Sequence, residues 1–523
     1  MTVDLGQTTQ RGGAIARFAN AGQLPRWAPF LLVLVAAVVL RGHVVANVDV
    51  GWMLTVAEKM LAGQQLYVDV IELNPPAAVF LYVPPVVIGR ILGVRPEMVV
   101  DALVLLAACL SMWLAGRVLA RARLLDVDGW RLAALGAAIL TILPAHAFGD
   151  RDPIALSAFL PALAVYAARS IRAPVPLTHA TLAGLASAAA ILIKPHLVLA
   201  VIASAFAAAV FARSWRPLLA LEHWIVGAFA AAYVVAVAVA FPAFFHEIIP
   251  LITATYVARP APAFDLLRAF ALWFAALAII WDVRRRAVFD PPFCVLLAAS
   301  CGCALAFLAQ GKGWPYHSFP MLALALLALA PSGSTPRAGT VDVPPRWRLL
   351  ARTLAVGVLV GASFSWMNRA SDASGLVEKI VRPKPHPSML AITADIALGH
   401  PLVRQVDGLW VGRVCSNWIS AGVLLRRKFQ VLDPATSALL DRYEALDRAM
   451  LAEDIRRGRP DIILVEKVNF DWEAWARSDP ALREQLKGYR EAENFMGIAI
   501  LRRAPSADAG HAVPDTDPSL ATR

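Results

Sequence analysis

The sequence predicts a polytopic α-helical membrane protein of about 11 transmembrane helices, with juxtamembrane helices at its outer surface and a small C-terminal α/β domain. Three observations carry this expectation. Of 523 residues, 59% are apolar and only 17% are charged, where a soluble chain carries about a quarter. The apolar residues fall in blocks of about 17 to 22, the length that crosses a hydrocarbon core. After residue 367 the composition changes, charge becomes frequent and long apolar blocks cease.

The formal charge of +11 would suggest a nucleic-acid partner in a soluble chain. In a membrane protein arginine accumulates in cytoplasmic loops, so the basicity reads as a topology signal and no nucleic acid is expected. Residues 1–26 are polar and no short apolar core with a small-residue cleavage site follows. The first span is therefore read as an uncleaved anchor behind a cytoplasmic segment. Cys109, Cys294, Cys301 and Cys303 lie in apolar runs and Cys415 stands alone in the tail. That pattern supports neither a disulfide framework nor a zinc site.

The eleven predicted spans are 27–45, 98–120, 131–147, 153–170, 177–193, 196–213, 224–245, 266–282, 292–309, 318–331 and 349–367. The stretch 76–93, PAAVFLYVPPVVIGRILG, is apolar too, but prolines interrupt it and Arg90 lies near its end. Charge decides its status. With the N-terminus inside and 76–93 not spanning, the basic clusters around Arg121 and Arg123, Arg169 and Arg172, Arg213 and Arg216, Arg284 to Arg286, and Arg337 to Arg348 all face the cytoplasm. The outer loops then keep only scattered cations, Arg259 among them, as the positive-inside rule asks. So 76–93 is expected to lie in or dip into the outer leaflet, with the C-terminal tail outside. The same orientation collects Asp49, Asp69, Glu72, Asp150, Arg151, Asp152, Lys194, His196, Lys312, Tyr316 and His317 on one outer face.

The first outer loop, 46–97, opens with Asp49 close to a membrane end. Over 51–62, Trp52, Val56 and Met60 form one stripe with Thr55, Glu58 and Lys59 opposite. This predicts an amphipathic helix lying flat at the interface, ended by Gly63. The following ELNPP forces an extended turn, because proline disfavours helix in the residue before it.

An acidic residue after the first span, a surface helix, a glycine and Asn74-Pro75-Pro76 leading into an apolar hairpin resemble the first periplasmic loop of GT-C glycosyltransferases. These lipid-linked-sugar transferases include protein O-mannosyltransferases, lipid A aminoarabinose transferases and rhizobial galacturonosyltransferases. The likeness covers about 1–367 and is clearest from Asp49 to Pro85. Lys312 to Pro320 is similar to the Lys-x-x-x-Tyr-x-x-x-Pro segment that opens a late span in the aminoarabinose branch. One departure is that many members carry an Asp-Glu pair where this chain has Asp49-Val50, so a role needing a second adjacent carboxylate is unfilled.

The resemblance implies an inverting glycosyltransferase of the bacterial inner membrane. It would move a sugar from a polyprenyl-phosphate donor to a glycan, lipid or protein acceptor of the cell envelope. Asp49 is the candidate general base, the alternative being that it only caps its helix. Glu72 and Asn74 are candidate substrate contacts. Arg151, Lys194, Lys312 and His317 are the cations available to a leaving phosphate, and Tyr316 can donate a hydrogen bond to it. Each has a plainer reading. Arg151 can pair with Asp150 or Asp152, Lys194 can snorkel from a span end, and His317 can be a neutral packed residue. No spacing resembles a metal motif, so no obligatory cofactor is expected, although a divalent cation bound by carboxylates is compatible with the class.

In the tail, RRGRPDIILVEK reads as a helix end, a turn and a buried strand at 461–466. Helical patterns at 438–457 and 471–488 flank it, and FMGIAILRR predicts a strand at 495–502. The expected periplasmic domain is 368–503, with a polar disordered tail over 504–523. Trp410, Trp418 and Trp472 are either core residues or a platform for sugars. The competing functions are a polysaccharide polymerase or ligase and a flippase-type transporter of lipid-linked sugars. Against the transporter stand the lack of an internal repeat and the position of the polar residues at span ends.

Overall fold

The computed structural model describes residues 25–125, 129–258, 262–284, 290–329, 345–369, 374–381 and 384–504. Most of the expected cytoplasmic segment, residues 505–523 of the expected disordered tail, and Arg259, Arg285, Arg286 and Arg337 of the charge count lie outside them.

Every predicted span falls on a helix. Six helices have the length and apolarity to cross a membrane: Pro96–Arg121, Arg151–Ser170, Leu221–Ala240, Ala263–Val283, Pro291–Gln310 and Arg346–Met367. The other five spans fall on shorter apolar helices, Ala28–Arg41, Gly129–Ala137 with its π-helical continuation Ala138–Ile142, Leu177–Ile193, Val198–Phe211 and Pro315–Ala328. The chain is a multi-pass α-helical membrane protein. The stretch 76–93 forms two short helices, Pro76–Phe80 and Val83–Leu92, each too short to cross a bilayer. One apolar helical segment was not expected. Phe244–Ile248, Ile249–Ile252 and Thr253–Val257 run on as π-, α- and π-helix, beyond the end of the span predicted at 224–245.

The chain divides into two compact units. The first comprises Met1–Val45, Met98–Val234 and Ala261–Arg369. Its centre is the helix Arg151–Ser170, 78% buried over its most apolar window against 6% for Leu221–Ala240. A helix apolar on all sides belongs inside a bundle or against lipid, and these two take the two options. Phe159, Tyr166, Phe307 and Phe319 fill the core. Small residues let backbones approach, since a Cβ on Gly302 would lie 2.6 Å from Ala200 Cα on the helix Val198–Phe211. Buried hydrogen bonds add to the packing. Trp273 Nε1 donates to Ser300 Oγ, which donates to the Met321 carbonyl, each at 2.9 Å, and Trp366 Nε1 donates to Ser318 Oγ at 2.9 Å.

The second unit comprises Ala46–Glu97, Val235–Pro260 and Ala370–Arg523. It holds a five-stranded sheet in the order β2-β1-β3-β5-β4. The strands are β1 (Ser388–Ile392), β2 (Leu409–Trp410), β3 (Ile462–Glu466), β4 (Tyr489–Phe495) and β5 (Ile498–Arg503). β1 pairs parallel with both β2 and β3, while β5 runs antiparallel to β3 and β4. The buried strand predicted at 461–466 is β3. The strand predicted at 495–502 starts later, because Met496 and Gly497 both have positive φ and turn β4 back into β5, as two-residue hairpins require. The helix predicted at 471–488 is broken into Trp472–Ser478 and Pro480–Leu486, where Asp479 caps the second and Pro480 takes its first position. The pattern at 438–457 extends to Pro434–Gly458, because Asp433 caps that helix by accepting from Thr436 N.

Candidate functional site

The predicted site residues fall into two groups, one in each unit. In the second unit, Asp49 sits in the first turn of the helix Val48–Leu61. The capping oxygen belongs to Asn47, whose side chain accepts from Asp49 N at 2.9 Å. Asp49 is therefore not the cap of its helix. The amphipathic helix expected over 51–62 is Val48–Leu61. Val50 to Ala57 are all buried, Thr55 among them. Its polar groups have protein partners. Thr55 Oγ1 donates to the Gly51 carbonyl at 3.0 Å, and Arg404 holds both Glu58 oxygens at 2.8 and 3.0 Å.

Glu72 is 2% exposed, and its oxygens accept from Trp52 Nε1 and from the backbone and side-chain nitrogens of Asn74. Tyr67 Oη donates to the Asn74 carbonyl at 2.5 Å. Both predicted contacts are thus engaged in shaping the ELNPP turn, with Pro76 opening the next helix. A buried carboxylate persists only when its oxygens are hydrogen-bonded, and three N–H groups do this for Glu72.

Sequence reasoning missed the groups that press on this loop from the tail. His400 is fully buried, with ring centroids 5.1 Å from Trp52 and 4.7 Å from Trp410. Burial holds its pKa well below the usual imidazole value, with Arg404 and Lys59 adding to the effect. The only local signal was Gly399-His400-Pro401 on the run that follows a strand. Trp410, Trp418 and Trp472 are 3%, 8% and 2% exposed. They are core residues, and the platform for sugars is set aside because their faces are covered.

In the first unit the predicted cations lie at helix ends. Asp150 precedes the helix Arg151–Ser170 as its cap residue, and Arg151 and Asp152 form its first turn. Lys194 ends the helix Leu177–Ile193, and Pro195–Leu197 makes a 3₁₀ turn carrying His196. Lys312 stands between Gly311 and Gly313, both at positive φ. Gly311 closes one helix and Pro315 opens the next, so glycine and proline chemistry sets the loop that carries Lys312. Trp314, Tyr316 and His317 pack as one aromatic group, with Tyr316 and His317 centroids 4.6 Å apart.

These ends converge. Lys194 Nζ lies 2.7 Å from Asp152 Oδ2 and 5.8 Å from the Tyr316 ring centroid. The charges of Lys194, Arg151, His196 and Lys312 all act on the buried His317. Lys194 is therefore an ion-paired residue of the group rather than a snorkelling one. Arg151, Lys194 and Lys312 set against Asp150 and Asp152 leave an excess of positive charge, which suits an anionic ligand. Among the described residues no group of three or more His, Cys, Asp or Glu is arranged to hold a metal ion.

No protein-family model and no curated protein matches the sequence. Among solved structures, ArnT from Cupriavidus metallidurans, crystallised bound to undecaprenyl phosphate, is similar over 91% of this chain and 98% of that one, at 15% identity and a TM-score of 0.53. The archaeal oligosaccharyltransferase AglB from Archaeoglobus fulgidus, in complex with an inhibitory peptide and a dolichol-phosphate, matches over 88% of this chain and 72% of that one, at 13% identity and a TM-score of 0.42. The likeness to ArnT is one of fold, and it spans the stretches from Asp49 to Pro85 and from Lys312 to Pro320: this chain is built on the fold that ArnT has.

Proposed function

We propose that the protein is a membrane glycosyltransferase that moves a sugar from a polyprenyl-phosphate-linked donor to a cell-envelope acceptor on the periplasmic face of the bacterial inner membrane. The observation that carries this reading is the meeting of helix ends at which Lys194 Nζ lies 2.7 Å from Asp152 Oδ2 and 5.8 Å from the Tyr316 ring centroid. Glycosyl transfer from such a donor leaves a phosphate, and preorganised cations lower the barrier to its departure. ArnT, which shares the fold, was crystallised with undecaprenyl phosphate.

In this reading the acceptor oxygen attacks the anomeric carbon from the face opposite the phosphate. The new carbon–oxygen bond forms as the old one breaks, its electrons stay on the phosphate oxygen, and the anomeric configuration inverts. Asp49 takes the acceptor proton. That Asn47 does the capping supports a chemical role for Asp49. Lys312, Lys194 and Arg151 receive the phosphate, with Tyr316 and His317 beside them. Glu72 and Asn74 keep the loop in shape around the substrate. The reaction needs no obligatory metal. Eleven spans, a cytoplasmic N-terminus and a periplasmic tail follow from the distribution of arginine, and a reporter fused after residue 520 reads out the last of these.

The test begins with the envelope glycan or lipid that loses a sugar when the protein is removed. That product is then rebuilt with purified protein and a labelled lipid-linked donor. Asp49→Asn should insert normally and transfer nothing, and undiminished transfer by that variant would sink the role of Asp49. A chelator should leave the rate unchanged. Movement of the lipid-linked sugar across the bilayer without transfer would identify a flippase instead.

A further inference from the structure

In open α/β sheets, ligands bind at the loops that follow the carboxyl ends of parallel strands. In the second unit the loops after β1 and β2 are occupied by the chain's own first loop. Beyond β1 come Gly399, His400 and Pro401, and a Cβ on Gly51 would lie 3.1 Å from Pro401 Cα and 3.4 Å from His400 Cβ. A side chain at Gly51 would press on both residues, so the glycine lets the helix settle closely. The His400 ring lies against both Trp52 and Trp410. Beyond β2, the Arg413 carbonyl accepts from Ile71 N at 2.9 Å, and Arg413 is itself tied to Asp454 through its backbone and side chain at 2.8 and 2.7 Å. Arg404 completes the attachment with its fork on Glu58 and a third bond to Glu97 at 2.5 Å.

The contacts hold the helix Val48–Leu61 at both ends, through Gly51 and Trp52 near its start and through Glu58 in the fork of Arg404 near its end. Gly51 and Trp52 lie two and three residues after Asp49, so the seat of the helix on Pro401 and His400 fixes the direction in which its first turn points. Trp52 also donates to Glu72, which holds the ELNPP turn, so one indole joins the tail, the helix and the loop.

We propose that the C-terminal α/β unit is the positioning platform of the Asp49 helix, with His400 and Arg404 as its positioning residues. The proposal rests on the role of Asp49 given above for its consequence in catalysis, and on geometry alone for the positioning itself. A well-placed general base loses about tenfold or more in rate when it is displaced by a fraction of an ångström to an ångström.

The full-length protein in lipid nanodiscs tests this with two readouts, amide hydrogen exchange over residues 48–61 and steady-state transfer with donor and acceptor varied separately. Arg404→Met should speed exchange over 48–61 about tenfold while leaving the helix Pro434–Gly458 unchanged. It should lower kcat about tenfold with both KM values within about twofold, and Arg404→Lys should recover part of the rate. Glu58→Gln is the milder variant, expected to move both readouts the same way by less, and it carries the test if Arg404→Met does not accumulate. Unchanged exchange over 48–61 overturns the platform whatever happens to activity. A uniform rise in exchange across the unit, with both KM values rising as kcat falls, also overturns it in favour of a purely stabilising contact. Faster exchange over 48–61 in a protein whose parent transfers no sugar upholds the platform and removes the glycosyltransferase reading.

Discussion

The indole N–H of Trp52 donates to the carboxylate of Glu72, twenty residues along the chain, and both side chains are buried. That carboxylate also holds the backbone and side chain of Asn74. Glu72→Ala should therefore strand three donors, two of them on Asn74 in the ELNPP turn. Each buried donor left without an acceptor costs about 1–3 kcal/mol. The expected outcome is a thermal midpoint lowered by several degrees together with loss of transfer. Glu72→Gln, which keeps one acceptor oxygen, should lose less of both.

Two ion pairs in the first unit set a structural charge against a proposed donor contact. Arg169 holds both oxygens of the fully buried Glu222 at 2.6 and 2.9 Å, and Lys194 pairs with Asp152 at 2.7 Å. Removing one partner of a buried pair costs about 3–5 kcal/mol, because the other charge is left uncompensated. Arg169→Met should lower the thermal midpoint without changing the donor KM of the protein that remains folded. Lys194→Met should raise the donor KM as well. In each pair, neutralising the second partner too, with Glu222→Gln or Asp152→Asn, should restore part of the stability, and only the Lys194 pair should keep its raised KM.

The helices Val198–Phe211 and Pro291–Gln310 touch where Gly302 meets Leu199 and Ala200. A Cβ there would lie 2.6 Å from both the Leu199 carbonyl oxygen and Ala200 Cα. Backbone cannot yield as a flexible side chain does, so Gly302→Ala should force the helices apart and lower stability by about 1–3 kcal/mol. Thermal unfolding in detergent measures this. Gly116→Ala, at a position whose added Cβ meets nothing within 4 Å, is the control and should be neutral or slightly stabilising.

Asp447 in the helix Pro434–Gly458 is fully buried and accepts from Ser420 N at 3.1 Å. Burial pushes its pKa up to about 6, despite its hydrogen bonds with Ser420 and Asn417. A carboxyl raised in the folded state favours folding while protonated, so its contribution is full below the unfolded value near 4 and is lost as pH rises through about 6. Asp447→Asn keeps the acceptor oxygen and removes the titration. The thermal midpoint of the variant relative to the parent should therefore rise between pH 4.5 and pH 7.5, by the equivalent of about 3 kcal/mol at most. A difference that stays flat across that interval would show that the group does not titrate there.

Much of the fold was legible in the sequence because membrane burial is a local property. A run of apolar residues long enough to cross or enter the bilayer must close its own backbone hydrogen bonds, so each of the six helices long and apolar enough to cross was visible from its own residues. Turn chemistry is local as well. Gly63 marked the end of the first-loop helix and Asn74-Pro75-Pro76 the extended turn after it, whereas the status of 76–93 was read from the distribution of arginine and not from its own residues. The segment Phe244–Val257 was not legible, because Glu247 and Pro250 interrupt its pattern and its fit depends on the tail. There, Gly422 lies against the Thr255 backbone, and Arg426 donates to the Ala254 carbonyl.

The sequence by itself determined that this is a multi-pass helical membrane protein, and it named Asp49 and Lys312 from the motifs around them. Only the tertiary structure decided what those residues touch. Asn47 rather than Asp49 caps the helix, Lys194 pairs with Asp152 across 42 residues, and Trp52 meets His400 from the far end of the chain. The physical reason is one of range. Hydropathy and turn propensity act over a few residues, whereas an ion pair or a ring contact needs two backbones brought within a few ångströms by packing far from either.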